Sequence, residues 1–247
     1  MSPFTVRLTF QGDLAFFLKH KAGRTIERHL GERTSVKDVI ESSGVPHPEV
    51  DLILVNGQPV DFAAILTQDV EVDVYPPNET RSPLFPENRL QVRHIEKFVA
   101  DGHLGKLVRD LRLLGIDVAY DRDAEDRQLL DVAQADNRAI LTRDRPLLMR
   151  ASVRHGYYLR SQNSLDQTVE VLRRFDLFSA LTPFTRCLHC NAPLKQVAKT
   201  EIFEQLEPLT KIYYEQFRRC TGCGQIYWSG SHFEKLEARI AEIRQRL

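Results

Sequence analysis

The stretch "IEKFVADGHLGKLVRDLRLLGIDVAY", residues 95–120, contains the pattern that decides the fold. It begins with an apolar run that ends at Asp101, continues with leucines at helical spacing as far as Gly115, and ends in a second apolar run. Short apolar runs bounded by polar residues are typical of buried strands, and apolar residues three or four apart are typical of one helix face. The stretch therefore predicts a strand, a crossover helix and a second strand parallel to the first.

The same alternation continues after residue 120. "DAEDRQLLDVAQADN" predicts a helix with Leu129, Val132 and Ala133 inward, "AILT" and "YYLR" predict two more strands, and "SLDQTVEVLRRF" predicts a helix opened by a capping box from Ser164 to Gln167. Repeated strand and helix units of this kind form parallel sheets covered by right-handed crossovers. We expect an α/β domain with a parallel sheet and helices on both of its faces.

A different pattern occupies residues 1–80. "FTVRLTFQGDLAFFL" alternates as a strand pair does, "TSVKDVIESSGV" has helical spacing, and "LILVNGQPV" and "DVEVDVYPP" are strand-like runs. This order predicts a small β-grasp domain, and the proline-rich "PPNETRSPLFPEN" predicts the linker after it. We divide the chain into a β-grasp domain at 1–80, a linker at 81–92, the α/β domain at 93–182, and a cysteine-rich region with a terminal helix at 183–247.

Charge and hydropathy exclude some classes of protein. The chain has 34 basic and 34 acidic residues, so its overall charge gives no sign of a nucleic-acid or membrane-surface protein. No stretch approaches the roughly 20 apolar residues of a membrane span, and the N-terminus lacks the pattern of a signal peptide. We expect a cytoplasmic protein with no membrane contact.

All four cysteines lie in the last quarter of the chain, as "CLHC" and "CTGC" separated by 29 residues. Two C-x-x-C turns at this distance predict a zinc ribbon, in which four thiolates hold one structural Zn²⁺ tetrahedrally. The ligands are Cys187, Cys190, Cys220 and Cys223. A redox dithiol or plain reduced thiols are the alternatives, although a redox site needs only one such pair. We place His189 outside the ligand set.

Aspartates follow the predicted strands. Asp101 and Asp144 lie at the carboxyl ends of two predicted strands, where ligands of parallel α/β sheets bind. Asp126 lies in the first turn of the helix predicted after the strand "IDVAY". Three carboxylates about 5 Å apart repel by roughly 3 kcal/mol per pair at an effective dielectric of about 20. A divalent cation offsets that repulsion, and oxygen ligands favour Mg²⁺ or Mn²⁺ over Zn²⁺. Such an ion activates water for attack on a phosphate, which is nuclease chemistry.

Helix capping is the alternative explanation for these aspartates. Asp is a favoured N-cap, and Asp144 precedes Pro146 at a predicted helix start. Asp123 with Asp126 fits a capping pair, and Asp101 before Gly102 fits a turn. Serine, threonine or asparagine would serve as well in such positions, so three aspartates favour the metal site.

Basic and aromatic residues accumulate around the second cysteine pair, in "YYEQFRRC" and "IYWSGSH". Aromatic rings stack on nucleobases and arginines contact phosphates. The same residues would also make the small core of a zinc ribbon, and the sequence leaves both alternatives open. The RNA-binding candidates are Arg143, Arg218, Arg219, Trp228 and His232.

The motifs "EDRQLLDVAQADNRAILTRDRPLL", "RCLHCNAPL" and "CTGCGQIYWSGSHFEKL", together with the opening stretch, resemble the Mut-7 C-terminal RNase domain family, a PIN-like nuclease fold with an appended zinc ribbon. The resemblance covers residues 93–240. Residues 1–80 are similar to the ubiquitin-like β-grasp domain that often precedes it and that itself resembles sulfur-carrier proteins. The resemblance implies that Asp101, Asp126 and Asp144 bind the catalytic metal and that the four cysteines bind zinc.

Two departures limit what the resemblance implies. PIN-like relatives often have a further acid two residues after the Thr-Arg-Asp aspartate, where this chain has Pro146, so a fourth acid must come from Asp121 or Asp123 or be absent. Sulfur carriers end in Gly-Gly, whereas this chain continues through Pro76 and Pro77, which excludes carrier chemistry for the N-terminal domain.

The sequence therefore predicts a Mg²⁺- or Mn²⁺-dependent ribonuclease that hydrolyses RNA phosphodiester bonds, with structural Zn²⁺ and an N-terminal domain available to a protein partner. The alternative is a non-catalytic RNA-binding or adaptor protein that retains the PIN-like fold. Metal binding that disappears on substitution of Asp144 distinguishes the two.

Overall fold

The computed structural model describes residues 2–18, 24–77, 85–92 and 94–247. The chain forms two compact units: Met1–His94 with Ala133–Tyr158, and Ile95–Val132 with Leu159–Leu247. Of the linker expected at 81–92, residues 81–84 lie outside the described part. The domain boundaries given above remain a prediction.

The structure has the following elements in chain order. The strands are β1 (Phe4–Phe10), β2 (Thr25–Leu30), β3 (Thr34–Ser35), β4 (Leu52–Val55), β5 (Gln58–Val60), β6 (Ile65–Leu66), β7 (Val70–Tyr75), β8 (Lys97–Ala100), β9 (Asp117–Tyr120), β10 (Ala139–Thr142), β11 (Gly156–Tyr158), β12 (Leu194–Val197), β13 (Phe217–Cys220) and β14 (Ile226–Trp228). The α-helices are α1 (Val36–Ser42), α2 (Gly105–Leu113), α3 (Asp126–Ala135), α4 (Arg145–Leu148), α5 (Ser164–Arg174), α6 (Lys199–Ile202), α7 (Pro208–Tyr213) and α8 (Ser231–Gln245). Short 3-10 helices span Gly12–Phe17, His47–Glu49, Gly102–Leu104, Phe178–Ala180 and Phe203–Gln205.

The N-terminal part of the first unit is a β-grasp fold, as expected. Its sheet has the order β2-β1-β7-β4-β5, with β1 and β7 parallel at the centre. Alternate residues of β1 are buried from Phe4 to Phe10, and they pack with α1 residues such as Ile40 in one core. The period-two pattern of the strand and the helical pattern of α1 therefore bury their apolar residues in the same place.

The expected strand pair inside "FTVRLTFQGDLAFFL" is wrong in its second strand. Residues Gly12–Phe17 form a 3-10 helix, and β1 pairs instead with Thr25–Leu30. Gly12 has a φ of 57°, which turns the chain out of the extended conformation directly after β1. Leu14 and Phe17 are the buried residues of this 3-10 helix. The apolar residues that suggested a second strand therefore belong to the core, but they lie on a helix.

The expected parallel strand pairs are confirmed in each unit. In the second unit β8 and β9 are parallel, with Ala100 opposite Tyr120, and α2 connects them. In the first unit β10 and β11 are parallel, with Thr142 opposite Tyr158. In the core of the second unit, the rings of Phe98 and Phe175 pack edge to face, with centroids 4.9 Å apart. The mixed α/β fold predicted from the sequence is therefore present.

Two details of the predicted helices are wrong. The N-cap of α5 is Asn163, whose side chain accepts hydrogen bonds from the backbone N–H groups of Leu165 and Asp166, so Ser164 does not open a capping box with Gln167. Val132 on α3 is 38% exposed, and Leu130 is buried in its place. For α3, the helical pattern therefore predicted the helix correctly but placed its buried face at the wrong residues.

The cysteine-rich region has a three-stranded antiparallel sheet in the order β12-β13-β14, followed by α8. Ile240 and Ile243 of α8 are buried. Arg239 of the same helix donates to both carboxylate oxygens of Asp110 on α2, at 2.6 and 3.2 Å. Among the described residues, no helix is both long and apolar enough to cross a membrane.

Candidate functional site

The four cysteines come together as the sequence predicts. The Cys187 and Cys223 sulfurs are 3.6 Å apart, those of Cys190 and Cys220 are 3.3 Å apart, and all four lie within 4.8 Å of one another. Within the described part of the chain they are the one group of three or more potential metal ligands this close together. Four thiolates bound tetrahedrally at about 2.3 Å from one zinc ion have sulfurs about 3.8 Å apart. The donor set and its spacing therefore fit a zinc ribbon.

The two cysteine turns repeat the same backbone geometry. The N–H of Asn191 donates to the Cys187 carbonyl at 3.0 Å, and the N–H of Gly224 donates to the Cys220 carbonyl at 3.2 Å. Both residues following the second cysteine have a left-handed conformation, with φ of 71° for Asn191 and 77° for Gly224. Glycine and asparagine adopt this conformation most readily. The sequence after each C-x-x-C therefore favours the turn that points both thiols inward.

Neighbouring groups set the protonation of the thiols. Burial raises the pKa of Cys190, but backbone and thiol hydrogen bonds from Ala192 and Cys220 outweigh it and lower this pKa to about 6. The Gln225 backbone lowers the pKa of Cys223, but burial and the neighbouring thiols raise it to about 12. A negative charge on one of these sulfurs therefore opposes deprotonation of the neighbouring thiol. A cation removes that conflict, because the thiolate is the metal-binding form.

Tyr227 on β14 contacts the cluster. Its hydroxyl lies 3.1 Å from the Cys187 sulfur and accepts a hydrogen bond from the Leu188 N–H at 3.2 Å. Burial, followed by Cys187, raises the pKa of Tyr227, so the phenol stays neutral and donates to the sulfur. His189 is exposed and lies outside the cluster, as expected.

Buried polar contacts that the sequence analysis missed join the first cysteine turn to β9. Arg112, 3% exposed on α2, donates to the carbonyls of Val118 and His189 at 2.8 and 2.7 Å. Burial lowers the pKa of this guanidinium. The Asn191 side chain accepts from the Val118 N–H at 3.1 Å and donates to Asp117 at 2.8 Å. The sequence contained one sign of this role, because Arg112 is a charged residue between the leucines of "LVRDLRLL".

Asp101 lies at the end of β8, in the second unit. Ala100 and Tyr120 are the last paired residues of β8 and β9, so Asp101 and Asp121 come next on neighbouring parallel strands. The loops after these strands are in close contact, because a Cβ atom on Gly102 would lie 2.3 Å from the Arg122 carbonyl oxygen. Only a glycine allows this approach. In the described surroundings, the Asp101 side chain makes no capping bond to the 3-10 helix that follows it.

Asp126 is the first residue of α3, also in the second unit. Directly before this helix, the N–H of Glu125 donates to the Gln128 side chain at 2.8 Å. The capping pair of Asp123 with Asp126 stays a prediction. Asp121 and Asp123 are exposed, and the Asp121 carboxylate accepts from the Asp123 N–H at 3.1 Å.

Asp144 lies in the first unit, two residues after β10. It caps α4, because its carboxylate accepts from the Leu147 N–H at 3.2 Å. The Thr142 hydroxyl oxygen accepts from the Asp144 N–H at 2.9 Å. The capping alternative therefore holds for this residue. A carboxylate offers about four lone pairs, so one capping bond leaves capacity to bind a cation.

A groove of about 970 Å³ in the second unit lies beside the ribbon strands and the start of α8. Arg218, Trp228 and His232 line it, three of the five residues proposed to bind RNA. Arg219 does not line it, and Arg143 lies in the first unit, exposed beside Asp144. Arg109 of α2 also lines the groove and was missed, because nothing in the helical pattern connects it with the ribbon.

Comparisons with known proteins gave matches over most of the chain. Residues 96–240 match the family model described as the Mut7-C RNAse domain, and residues 4–82 match the model described as Mut7-C ubiquitin. A crystal structure of SAMP1 from Haloferax volcanii is similar to 30% of this chain and is covered over 97% of its own length, with 14% identity and a TM-score of 0.24. No curated protein matches the chain.

Proposed function

Since the chain belongs to the Mut7-C RNAse domain family, we propose that it is a metal-dependent ribonuclease that hydrolyses RNA phosphodiester bonds. The observation that carries the proposal is the position of Asp101 and Asp121 directly after the last paired residues of two parallel strands. Ligands of α/β proteins bind beyond the carboxyl ends of such strands.

The catalytic metal would be held by Asp101, Asp126 and Asp144, with Asp121 or Asp123 as a further oxygen donor. Carboxylates alone make a hard ligand set, which suits Mg²⁺ or Mn²⁺. When bound, such a cation activates water and stabilises the charge that develops on the phosphate.

The residues around these acids have supporting roles in the proposal. The capping bond to Leu147 fixes the orientation of the Asp144 carboxylate. The close contact of Gly102 with Arg122 holds the loop of Asp101 against the loop of Asp121 and Asp123. Arg143 is exposed next to Asp144 and is suited to contact a phosphate.

We assign Zn²⁺ to the four cysteines as a structural ion, because all four ligand positions of a tetrahedral site are then supplied by the protein. Reduced thiols at such a site suit the cytoplasm, which is the location we propose. The β-grasp domain is the part that we propose for contact with a protein partner.

A non-catalytic RNA-binding protein is the second candidate, and the groove around Trp228 and Arg218 favours it as much as it favours an enzyme. The two candidates differ in whether RNA is cut.

The test measures cleavage of a labelled single-stranded RNA with and without added Mn²⁺, for the unmodified chain, Asp101→Asn and Asp126→Asn. The matched control is Asp131→Asn, an exposed residue on the same helix as Asp126. We expect Mn²⁺-dependent cleavage by the unmodified chain and the control, and loss of cleavage in the other two variants. RNA that is bound by the zinc-loaded chain but never cleaved would favour the non-catalytic candidate.

A further inference from the structure

The lining of the groove beside the ribbon is strongly biased in charge. Its described residues include Arg109, Arg186, Arg218 and His232 but no aspartate or glutamate, in a chain with equal numbers of acidic and basic residues. Arg186 is already paired with Asp117 at 3.2 Å. Arg109 and Arg218 are exposed and present positive charge to solvent, with the exposed His232 imidazole beside them, so the groove suits an anionic ligand.

The groove also presents aromatic faces. Trp228 is 38% exposed, so part of its large ring faces solvent. Beside it, the Phe184 and Phe233 rings stack with centroids 4.5 Å apart and an interplanar angle of 26°. Arg218 donates to the Phe184 carbonyl, which holds its guanidinium at the groove while leaving other N–H donors for a ligand.

Cations together with an exposed aromatic ring fit a nucleic-acid strand whose bases are unpaired. Aromatic side chains stack on bases only where the bases are splayed out of a helix, and cations beside them contact the phosphates. In a duplex the base faces are covered by their neighbours. The volume of about 970 Å³ is at the top of the range for small-molecule pockets, roughly 300 to 1,000 Å³, which leaves room for a short extended strand.

We propose that this groove binds an unpaired RNA segment, with a base stacked on Trp228 and phosphates contacting Arg109, Arg218 and His232. The inference rests on the proposed function and deepens it, because it makes single-stranded RNA the substrate class. No aspartate lines the groove, so among the described residues the strand-binding groups are separate from the acids assigned to the metal.

Trp228 is the chain's one tryptophan, so its intrinsic fluorescence reports on this groove alone. The zinc-loaded full chain is titrated, without added Mg²⁺ or Mn²⁺, with a short oligouridylate and with an RNA duplex of the same length. We expect saturable quenching by the single strand and at least about tenfold weaker binding of the duplex. If a saturating concentration of the oligouridylate leaves the Trp228 fluorescence unchanged, the proposal is overturned.

Neighbouring residues supply the matched controls. Arg218→Gln should weaken binding of a labelled oligouridylate by about tenfold, as expected for a lost charged contact to phosphate, whereas Arg219→Gln, adjacent but outside the groove, should change it by less than about twofold. Trp228→Ala should weaken binding by about tenfold or more, and Trp228→Phe by less, because it keeps an aromatic face. Tyr213→Ala, at a 72% exposed ring outside the groove, should have no effect. Equal losses in Arg218→Gln and Arg219→Gln, or unchanged binding by Trp228→Ala, would overturn the proposal.

The outcomes separate this inference from the proposed function. If cleavage depends on Asp101 but Trp228→Ala binds RNA normally, the ribonuclease proposal stands and the proposal that the groove binds RNA is wrong. If the variants change RNA binding as expected but no metal supports cleavage, the proposal that the groove binds RNA stands and the ribonuclease proposal is wrong.

Discussion

The guanidinium of Arg145 donates a hydrogen bond of 2.9 Å to the backbone carbonyl of Phe17, across 128 residues of sequence. The same guanidinium lies 5.2 Å from the centre of the Phe17 ring and 5.7 Å from those of Phe16 and Tyr158. The β-grasp part of the first unit therefore holds the residue that directly follows Asp144.

Loss of this contact should destabilise the first unit. Arg145→Met removes the hydrogen bond and the cation–π contacts, and we expect it to lower the free energy of unfolding by about 2 kcal/mol. The control is Arg143→Met, an exposed residue of the same type two positions earlier, which should stay within about 0.5 kcal/mol. Urea unfolding of both variants measures the difference. Equal stabilities would mean that the Phe17 contact contributes nothing.

The cysteine cluster should contain one tightly held zinc ion per chain. Zinc binding to four-thiolate sites is itself folding free energy, on the order of 10 kcal/mol, so Cys220→Ser should speed amide hydrogen exchange throughout residues 183–230. Thr221→Ser, next to it, should leave exchange unchanged. Elemental analysis of protein purified without chelator provides the independent check, and an absence of zinc there contradicts the ribbon assignment.

The ion pair between Arg239 and Asp110 should contribute more to stability than the exposed pair made by Arg246, the residue directly after the same helix. Asp110 is 8% exposed, so Arg239→Met leaves a carboxylate in a largely buried position, and we expect a loss of at least about 2 kcal/mol. Arg246→Met breaks the 2.6 Å pair with Asp166, both about half exposed, and should cost less than about 1 kcal/mol. Thermal unfolding of both variants tests the order, and a reversed order would be inconsistent with the position of α8.

Gly102→Ala should separate the loops that follow β8 and β9. Its Cβ would lie 2.3 Å from the Arg122 carbonyl oxygen, so the backbone must shift and carry Asp101 with it. We expect weaker Mn²⁺ binding, measured by isothermal titration, as well as lower stability. Gly31→Ala is the control, since its Cβ meets no atom within 4 Å. Unchanged Mn²⁺ affinity in Gly102→Ala would mean that this loop does not position a metal ligand.

Much of the fold was predictable because the patterns are local. The strand "AILT" was placed at Ala139–Thr142 and is found there as β10, since a short run of apolar residues between polar ones permits little else. The four cysteines were predicted together because their spacing alone specifies two metal-binding turns. The family resemblance on residues 93–240 and 1–80 is confirmed by the two family models.

The errors and omissions have physical causes. Ser164 and Gln167 fit the capping-box spacing, but Asn163, one residue earlier, satisfies two backbone N–H groups and makes the cap. The contact between Arg145 and Phe17 joins distant parts of the chain, and no periodicity reports such a pair. Aspartate suits both an N-cap and a metal ligand at position 144, so the sequence alone left both alternatives open.

One measurement tests the central claim most directly: cleavage of single-stranded RNA in Mn²⁺ by Asp144→Asn, beside its stability. Asparagine is nearly as good an N-cap as aspartate, so the free energy of unfolding without metal should change by well under about 1 kcal/mol. If Asp144 binds the catalytic metal, Mn²⁺ affinity and cleavage should both fall by more than about 100-fold, beyond the loss typical of residues that only support a ligand. Cleavage at the rate of the unmodified chain would leave Asp144 as a helix cap and contradict the metal site.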